Sequence, residues 1–293
     1  MILSQQQIEV VTASASAALL SYCQEYGIHH TVTGVSGGLD SSVTLALSQL
    51  AVEKARAVGY SLSSLGLILP CQSDPEHAVL GKKVIRHFGA ELLEVDLTGI
   101  FELLEKNILK PVANALSQDR EHPPDQRYRT AQGNVKARLR MSLGTYYVAN
   151  LVNGLVLSTD NCSEYWMGFW TLHGDVGDFG MIQELWKGSE LIQLARHLGV
   201  PEDVIAAAPT DGLGVQDGGD EAQMGATYPV VDRIIQELQK HGIDLNGSPA
   251  QLEQLPELAG LDADLVRKIA SRAIGSGFKR KHPRNLSRGE LGL

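Results

Sequence analysis

Apolar residues recur at three- and four-residue spacing between about Ser4 and Gln24, at Ile8, Val11, Ala15, Leu19 and Tyr22, which predicts an amphipathic helix. The period then shortens. His30 to Val35 alternates polar and β-branched residues, breaks at Gly37-Gly38, and gives way from Asp40 to a helical run through Val43, Leu47, Leu50 and Val52. This is a strand, a tight turn and a helix. The alternation repeats: Leu65 to Leu69 is a short apolar strand ended by Pro70, Asp74-Pro75-Glu76 starts a helix that stops at Gly89, and Leu92 to Val95 is a further strand. Gly133 to Asn150 predicts another helix and Leu155 to Leu157 another buried strand. Strands alternating with helices imply an α/β fold, a doubly wound, mainly parallel sheet with helices on both faces, and ligands beyond the C-terminal ends of its strands.

Two stretches break the pattern. Ser117 to Gly133 is polar and contains Pro123-Pro124, and Pro209 to Gly225 is rich in Gly and Asp. Both are expected to be mobile surface loops. The second, about 209–225, is a candidate active-site flap, with a solvated connector as the equal alternative.

A chain of 293 residues that is 43% hydrophobic can bury a full core, and a single domain over 1–293 is expected. Acidic residues outnumber basic ones, 34 against 25, for a formal charge of -9, so nothing draws the chain diffusely to nucleic acid or anionic lipid. Met1 to Gly27 lacks the basic flank and apolar run of a secretory signal, and no stretch reaches the roughly eighteen apolar residues of a membrane span. A cytoplasmic protein is expected, with no nucleic acid or membrane partner. Cys23, Cys71 and Cys162 are widely separated and odd in number, so each is expected to be a small buried apolar residue.

The chemistry concentrates in Gly34-Val35-Ser36-Gly37-Gly38-Leu39-Asp40-Ser41-Ser42. The glycines allow a sharp turn, and the serine hydroxyls join the free N–H groups of a helix N-terminus, a combination that binds phosphate. Asp40 would be misplaced beside bare phosphate and makes sense if Mg²⁺ lies between them. The same residues also spell the G-x-S-x-G elbow of serine hydrolases, with Ser36 as nucleophile. That alternative leaves Asp40 and Ser41-Ser42 unexplained, and only one predicted strand precedes Ser36.

The loop resembles the S-G-G-x-D-S signature of the ATP-pyrophosphatase family, whose members cut ATP between its α- and β-phosphates. Further stretches follow in order: Asn134-Val135-Lys136-Ala137-Arg138-Leu139-Arg140, Ser158-Thr159-Asp160 with Glu164, Gly168-Phe169-Trp170-Thr171, Gly174-Asp175-Val176-Gly177-Asp178, Trp186-Lys187-Gly188 and Pro209-Thr210-Asp211-Gly212-Leu213. With Asp220-Glu221, Gly225, Tyr228, Asp232 and the basic cluster Lys279-Arg280-Lys281 of the C-terminal tail, about 278–293, they resemble the NAD synthetases within that family.

The resemblance implies ATP-dependent amidation of deamido-NAD through an adenylated intermediate. Gly34 to Ser41, Thr159, Lys187 and Thr210 would contact ATP, and Asp40 and Glu164 would ligate Mg²⁺. Arg138, Asp178 and Lys279 would contact deamido-NAD, and Asp175 would lie near the incoming ammonia. Asp40, Asp175 and Lys187 would be the catalytic residues. Leu172, Val176 and Phe278 depart from the family pattern and leave room for a related dinucleotide or another carboxylate. Ammonia is the expected nitrogen donor, because no cysteine sits in the context of a glutamine-cleaving nucleophile. A homodimer is also implied. The apolar face of Leu139 to Val152 could serve it or the chain's own core.

Overall fold

The computed structural model describes residues 2–117, 125–210, 212–215, 218–281 and 283–292. Helix α1 (Gln5–Tyr26) opens on a capping box in which the Ser4 hydroxyl accepts the Gln7 N–H and the Gln7 side chain accepts the Ser4 N–H. Strand β1 (His30–Gly34), α2 (Leu39–Ala57), β2 (Ser63–Ile68), α3 (Pro75–Phe88) and β3 (Glu91–Glu94) follow as the hydrophobic periods predict. Helix α3 starts on the side-chain cap of Asp74 with Pro75 in its first turn and ends at Gly89 in the left-handed region, φ 70°.

The chain continues through α4 (Thr98–Leu104), a π-helical turn at Glu105–Leu109, α5 (Lys110–Ser117), α6 (Asp125–Leu139), a π-helical stretch at Arg140–Tyr146 and α7 (Tyr147–Val152). Then come β4 (Gly154–Ser158), α8 (Cys162–Met167), β5 (Phe179–Gly180), a π-helical turn at Lys187–Leu191 and α9 (Ile192–His197). The last helices are α10 (Glu202–Ile205), α11 (Gly219–Met224), α12 (Tyr228–Lys240), α13 (Ala263–Gly275) and α14 (Gly277–Arg280), with a 3-10 turn at Pro249–Glu253.

The strands lie in the order β3-β2-β1-β4-β5, and every pair is parallel. Because strand side chains alternate, Val32, Leu65, Leu67 and Val156 turn to one face against Met141, Val148 and Ala149. Leu155 and Leu157 turn to the other, against Leu19, Cys23, Ala51 and Ala55 of α1 and α2. The doubly wound α/β expectation is thereby met. Strand β3, at the edge, is exposed along its whole length and carries Glu91 and Glu94 at its ends, charges that discourage pairing with another chain. A separate cluster joins α8, α12 and α13 through Met167, Tyr228, Val231, Ile235, Leu238, Ile269 and Ala273. No helix among the described residues is long and apolar enough to cross a membrane.

Two expectations are corrected. The loop expected between Ser117 and Gly133 is helical from Asp125, and residues 118–124 of that stretch lie outside the described residues. The first turns of α6 carry almost no apolar residue, so periodicity had no signal there. Lys136 and Arg138 consequently sit well inside a continuous helical rod from Asp125 to Val152 rather than in the first turns of a helix that starts at Gly133. The expected open loop at 209–225 is in part packed. Leu213 and Val215 are buried against Ala137, Arg140 donates to the Gly212 carbonyl at 3.2 Å, and Gly219–Met224 is helix α11 with Asp220 and Met224 buried. Residues 211, 216 and 217 of that segment lie outside the described residues.

Candidate active site

The turn between β1 and α2 is built by two close backbone approaches. Gly37 takes φ 85°, and a Cβ there would meet the His77 carbonyl oxygen at 2.6 Å and the Gly81 nitrogen at 2.9 Å. Any side chain at Gly37 would push the start of α3 off the loop. Gly38 caps α2 in extended conformation, and the Ser41 and Ser42 hydroxyls donate to its carbonyl at 3.2 and 2.7 Å. Ser41 also accepts the Ser36 N–H at 3.3 Å, and its oxygen lies 3.2 Å from that of Ser36. The Ser36 hydroxyl thus meets Ser41 and the Gly38 N–H, partners that form a turn, and neither of these is the histidine base a hydrolase would need.

Asp40, in the first turn of α2, meets residues from two other parts of the chain. Its Oδ2 lies 2.7 Å from the Lys187 ammonium and its Oδ1 accepts the Asn161 amide at 2.8 Å. Asn161 also caps α8 by accepting the Glu164 N–H, so one side chain ties the Asp40 carboxylate to the backbone of Glu164. Lys187 donates to Glu164 Oε1 at 3.0 Å and to the Tyr228 hydroxyl at 3.2 Å, and lies 4.4 Å from the centre of the Tyr228 ring. The Tyr228 hydroxyl lies 3.1 Å from Glu164 and 3.3 Å from Asp220.

The electrostatics follow from burial. Desolvation alone would drive the Lys187 pKa down, but Asp40 and Glu164 outweigh it and hold the ammonium charged, well above the ordinary lysine value. Burial pushes the Glu164 pKa up while Lys187 pulls it back. Asp160, whose Oδ2 accepts the Ser158 hydroxyl at 2.7 Å, is pushed well up by burial and then by Asp175, Glu164 and Asp40. Two carboxylates of hard oxygen donors within 3.0 Å of one positive charge suit a small divalent cation as well as an ammonium.

The other expected residues surround this centre. Both oxygens of Asp175 accept the Thr171 N–H, at 2.9 and 3.0 Å, and the Thr171 hydroxyl donates to Asn134. Lys279 spans the carbonyls of Gly168 and Trp170 at 2.8 and 2.5 Å and lies over the Trp170 ring. Burial lowers its pKa, and Asp175 counters the shift. Arg138 donates to the Leu172 carbonyl at 3.2 Å. Asp178 takes the Tyr146 hydroxyl at 2.5 Å and the Val156 N–H at 3.3 Å, and Thr210 accepts the Gly212 N–H at 3.2 Å. Thr159 follows β4 and is half-buried. The structure therefore joins Asp40, Glu164 and Lys187 directly, while Arg138, Asp178 and Thr210 make separate contacts. The basic cluster is no solvated tail: Arg280 donates to the carbonyls of Trp166, Leu245 and Ala273.

The sequence patterns attach no role to Asp160, Asn161, Tyr228 or Asp232. Asn161 alone carried a local signal, as a helix-capping side chain. The three cysteines are buried free thiols, and burial pushes Cys23 to about 11 and Cys162 to about 12, away from nucleophilic service.

A Gly- and Ser-rich turn after the central strand of a parallel sheet, with a lysine and two carboxylates gathered beside it, is the arrangement of an α/β protein of the ATP-pyrophosphatase class. Within that class the NAD synthase family profile matches residues 11–283, and the chain belongs to that family. It is 30% identical over 258 residues to the NH(3)-dependent NAD(+) synthetase of Methanosarcina mazei, covering 88% of this chain and 90% of the relative. The protein of the same name from Alkaliphilus metalliredigens is 36% identical over 221 residues, covering 75% and 83%. Among solved structures, the NAD+ synthetase of Burkholderia pseudomallei superposes with a TM-score of 0.67 at 26% identity, covering 94% of this chain and 91% of that one.

Proposed function

We propose that the chain converts deamido-NAD to NAD, using ATP to adenylylate the nicotinate carboxylate and ammonia to displace AMP, with pyrophosphate released in the first step. The carrying observation is the convergence of Asp40, Glu164 and Lys187 at the mouth of the Gly34 to Ser41 turn. Family membership and similarity to NH(3)-dependent NAD(+) synthetases support the same activity and the ammonia dependence.

In this proposal the N–H groups and hydroxyls of the turn, with Thr159 and Thr210, hold the triphosphate. Arg138, Asp178 and Lys279 hold deamido-NAD so that its carboxylate faces the α-phosphorus. The carboxylate oxygen forms a bond to phosphorus as the bond to the β-phosphate oxygen breaks, and Lys187 stabilises the charge gathering on the departing pyrophosphate. Mg²⁺ would be held by Asp40 and Glu164 and would neutralise phosphate charge when bound. Ammonium, attracted by the carboxylates near Asp175, gives up a proton and attacks the acyl carbon, and AMP leaves.

The exposed residues Leu143, Tyr147 and Leu151, four apart along one stripe, support a homodimer through this face. The opposite side of the same rod, at Met141, Val148 and Ala149, is buried in the core. The activity is tested by supplying purified protein with ATP, Mg²⁺, ammonium and deamido-NAD. Equal amounts of NAD, AMP and pyrophosphate are expected. ADP as product, or no NAD with ammonium, would refute the proposal.

A further inference from the structure

Building on the role proposed for Lys187, we infer that Asp232 is a positioning residue that sets the place of this lysine through Gly188. Lys187 starts a helical segment, Lys187–Leu191 leading into α9, whose first N–H groups have no acceptor within the helix. Side chains from elsewhere take them. The Lys187 N–H donates to Ser163 Oγ at 3.0 Å, and the Gly188 N–H donates to Asp232 Oδ2 at 2.9 Å. Asp232 Oδ2 therefore holds the peptide position next to the lysine, beside the Ser163 hydroxyl that holds the lysine's own N–H.

The contact has no slack. A Cβ on Gly188 would meet the Pro229 nitrogen at 2.5 Å and Asp232 Oδ2 at 2.7 Å, so the lysine's turn rests directly on the first turn of α12. The far end of the side chain rests on the same helix, because Nζ lies against Tyr228, one turn before Asp232. Helix α12 therefore grips the lysine at both ends, backbone and ammonium. Asp232 is 3% exposed, and burial raises its pKa to about 6. A buried carboxylate is a costly way to stabilise a fold, and here it buries itself against the one turn that carries the lysine. A misplacement of about 1 Å can cost on the order of a hundredfold in rate, which is the scale on which such an anchor acts.

The test reads adenylylation alone, as pyrophosphate–ATP exchange with deamido-NAD present and ammonium omitted. Asp232→Ala, which removes the acceptor, is expected to lower exchange at saturating ATP by about ten- to a hundredfold. Asp232→Asn keeps an acceptor for Gly188 and is expected to recover the rate to within about threefold, while the KM for ammonium in the full reaction moves less than about twofold. Normal exchange in Asp232→Ala, or an Asn variant as slow as the Ala variant, would overturn the inference. If Asp232→Ala does not fold, Gly188→Ala, whose Cβ would meet Asp232 Oδ2 at 2.7 Å, forces the same turn off the carboxylate, and an unaltered rate there overturns it equally. Lys187→Met separates the two levels. If it exchanges normally, the role of Lys187 and the inference fall together; if it is inactive beside a normal Asp232→Ala, only the inference falls.

Discussion

Replacing Lys187 by Met keeps most of the apolar stem and removes the charge between Asp40 and Glu164. The side chains of all three residues are largely buried, at 9, 16 and 12% exposed, so water cannot fully substitute. At 2.7 and 3.0 Å each ion pair is worth about 6 kcal/mol of gross Coulomb energy at an effective dielectric constant near 20. Desolvation of the ammonium offsets much of this, and breaking a buried pair from one side costs about 3–5 kcal/mol net. For a chain of this size that corresponds to a fall in melting temperature of roughly 5–8 °C. The pH dependence has a definite sign. Burial already raises the Glu164 pKa above 4.5, and losing Lys187 removes the charge that pulls it back. Between its unfolded and folded pKa the native variant binds more protons than the unfolded one, so its stability falls as pH rises through that window. The deficit against wild type should be larger at pH 8 than at pH 5, and adding Asp40→Asn should recover part of it by removing one stranded carboxylate. Pyrophosphate release should fall by about a hundred- to a thousandfold. Melting curves for the three proteins at both pH values make the check. A single variant that melts within about 1 °C of wild type at pH 8 would show that the ammonium does not compensate these carboxylates.

Three other outcomes are expected. Ser36→Ala should weaken ATP use and leave residual synthesis, since it removes one of several donors; covalent labelling of Ser36 by a fluorophosphonate would instead mark a nucleophile. Asp175→Asn leaves an acceptor for the Thr171 N–H but takes away the charge, so the ammonium requirement should rise by about tenfold with the fold intact, and an unchanged ammonium dependence would remove Asp175 from that role. Asp232, raised by burial to about 6 from 3.8, has a folded pKa above its unfolded one, so it costs the native state stability increasingly from pH 4 to 6 and by about 3 kcal/mol beyond. Asp232→Asn should therefore gain stability relative to wild type at pH 7.5 but not at pH 4; equal melting differences at the two pH values would refute this.

The elements that could be read along the chain are those whose causes are local. The apolar stripe of α1, the Asp74-Pro75 start and Gly89 stop of α3, and the turn at Gly37-Gly38 each depend on residues a few positions apart, and the structure reproduces them. The opening of α6 escaped because its first turns are polar and its support comes from elsewhere: Gln126 donates to the carbonyl of Val215, far along the chain. Leu213 and Val215 looked like part of a solvated segment for the same reason, since their cover is Ala137 of α6.

The sequence by itself determined the α/β class, the Gly-Ser turn between β1 and α2 and the family, because periodicity, caps and ordered motifs are written in neighbouring residues. Only the tertiary structure decided that Asp40, Asn161, Glu164, Lys187 and Tyr228 form one buried charge cluster, and that Asp232 stands behind it. Those contacts lie across three parallel strands and the helices between them. Their energies depend on burial and on distances of a few ångströms, which are set by packing and not by the spacing of residues along the chain.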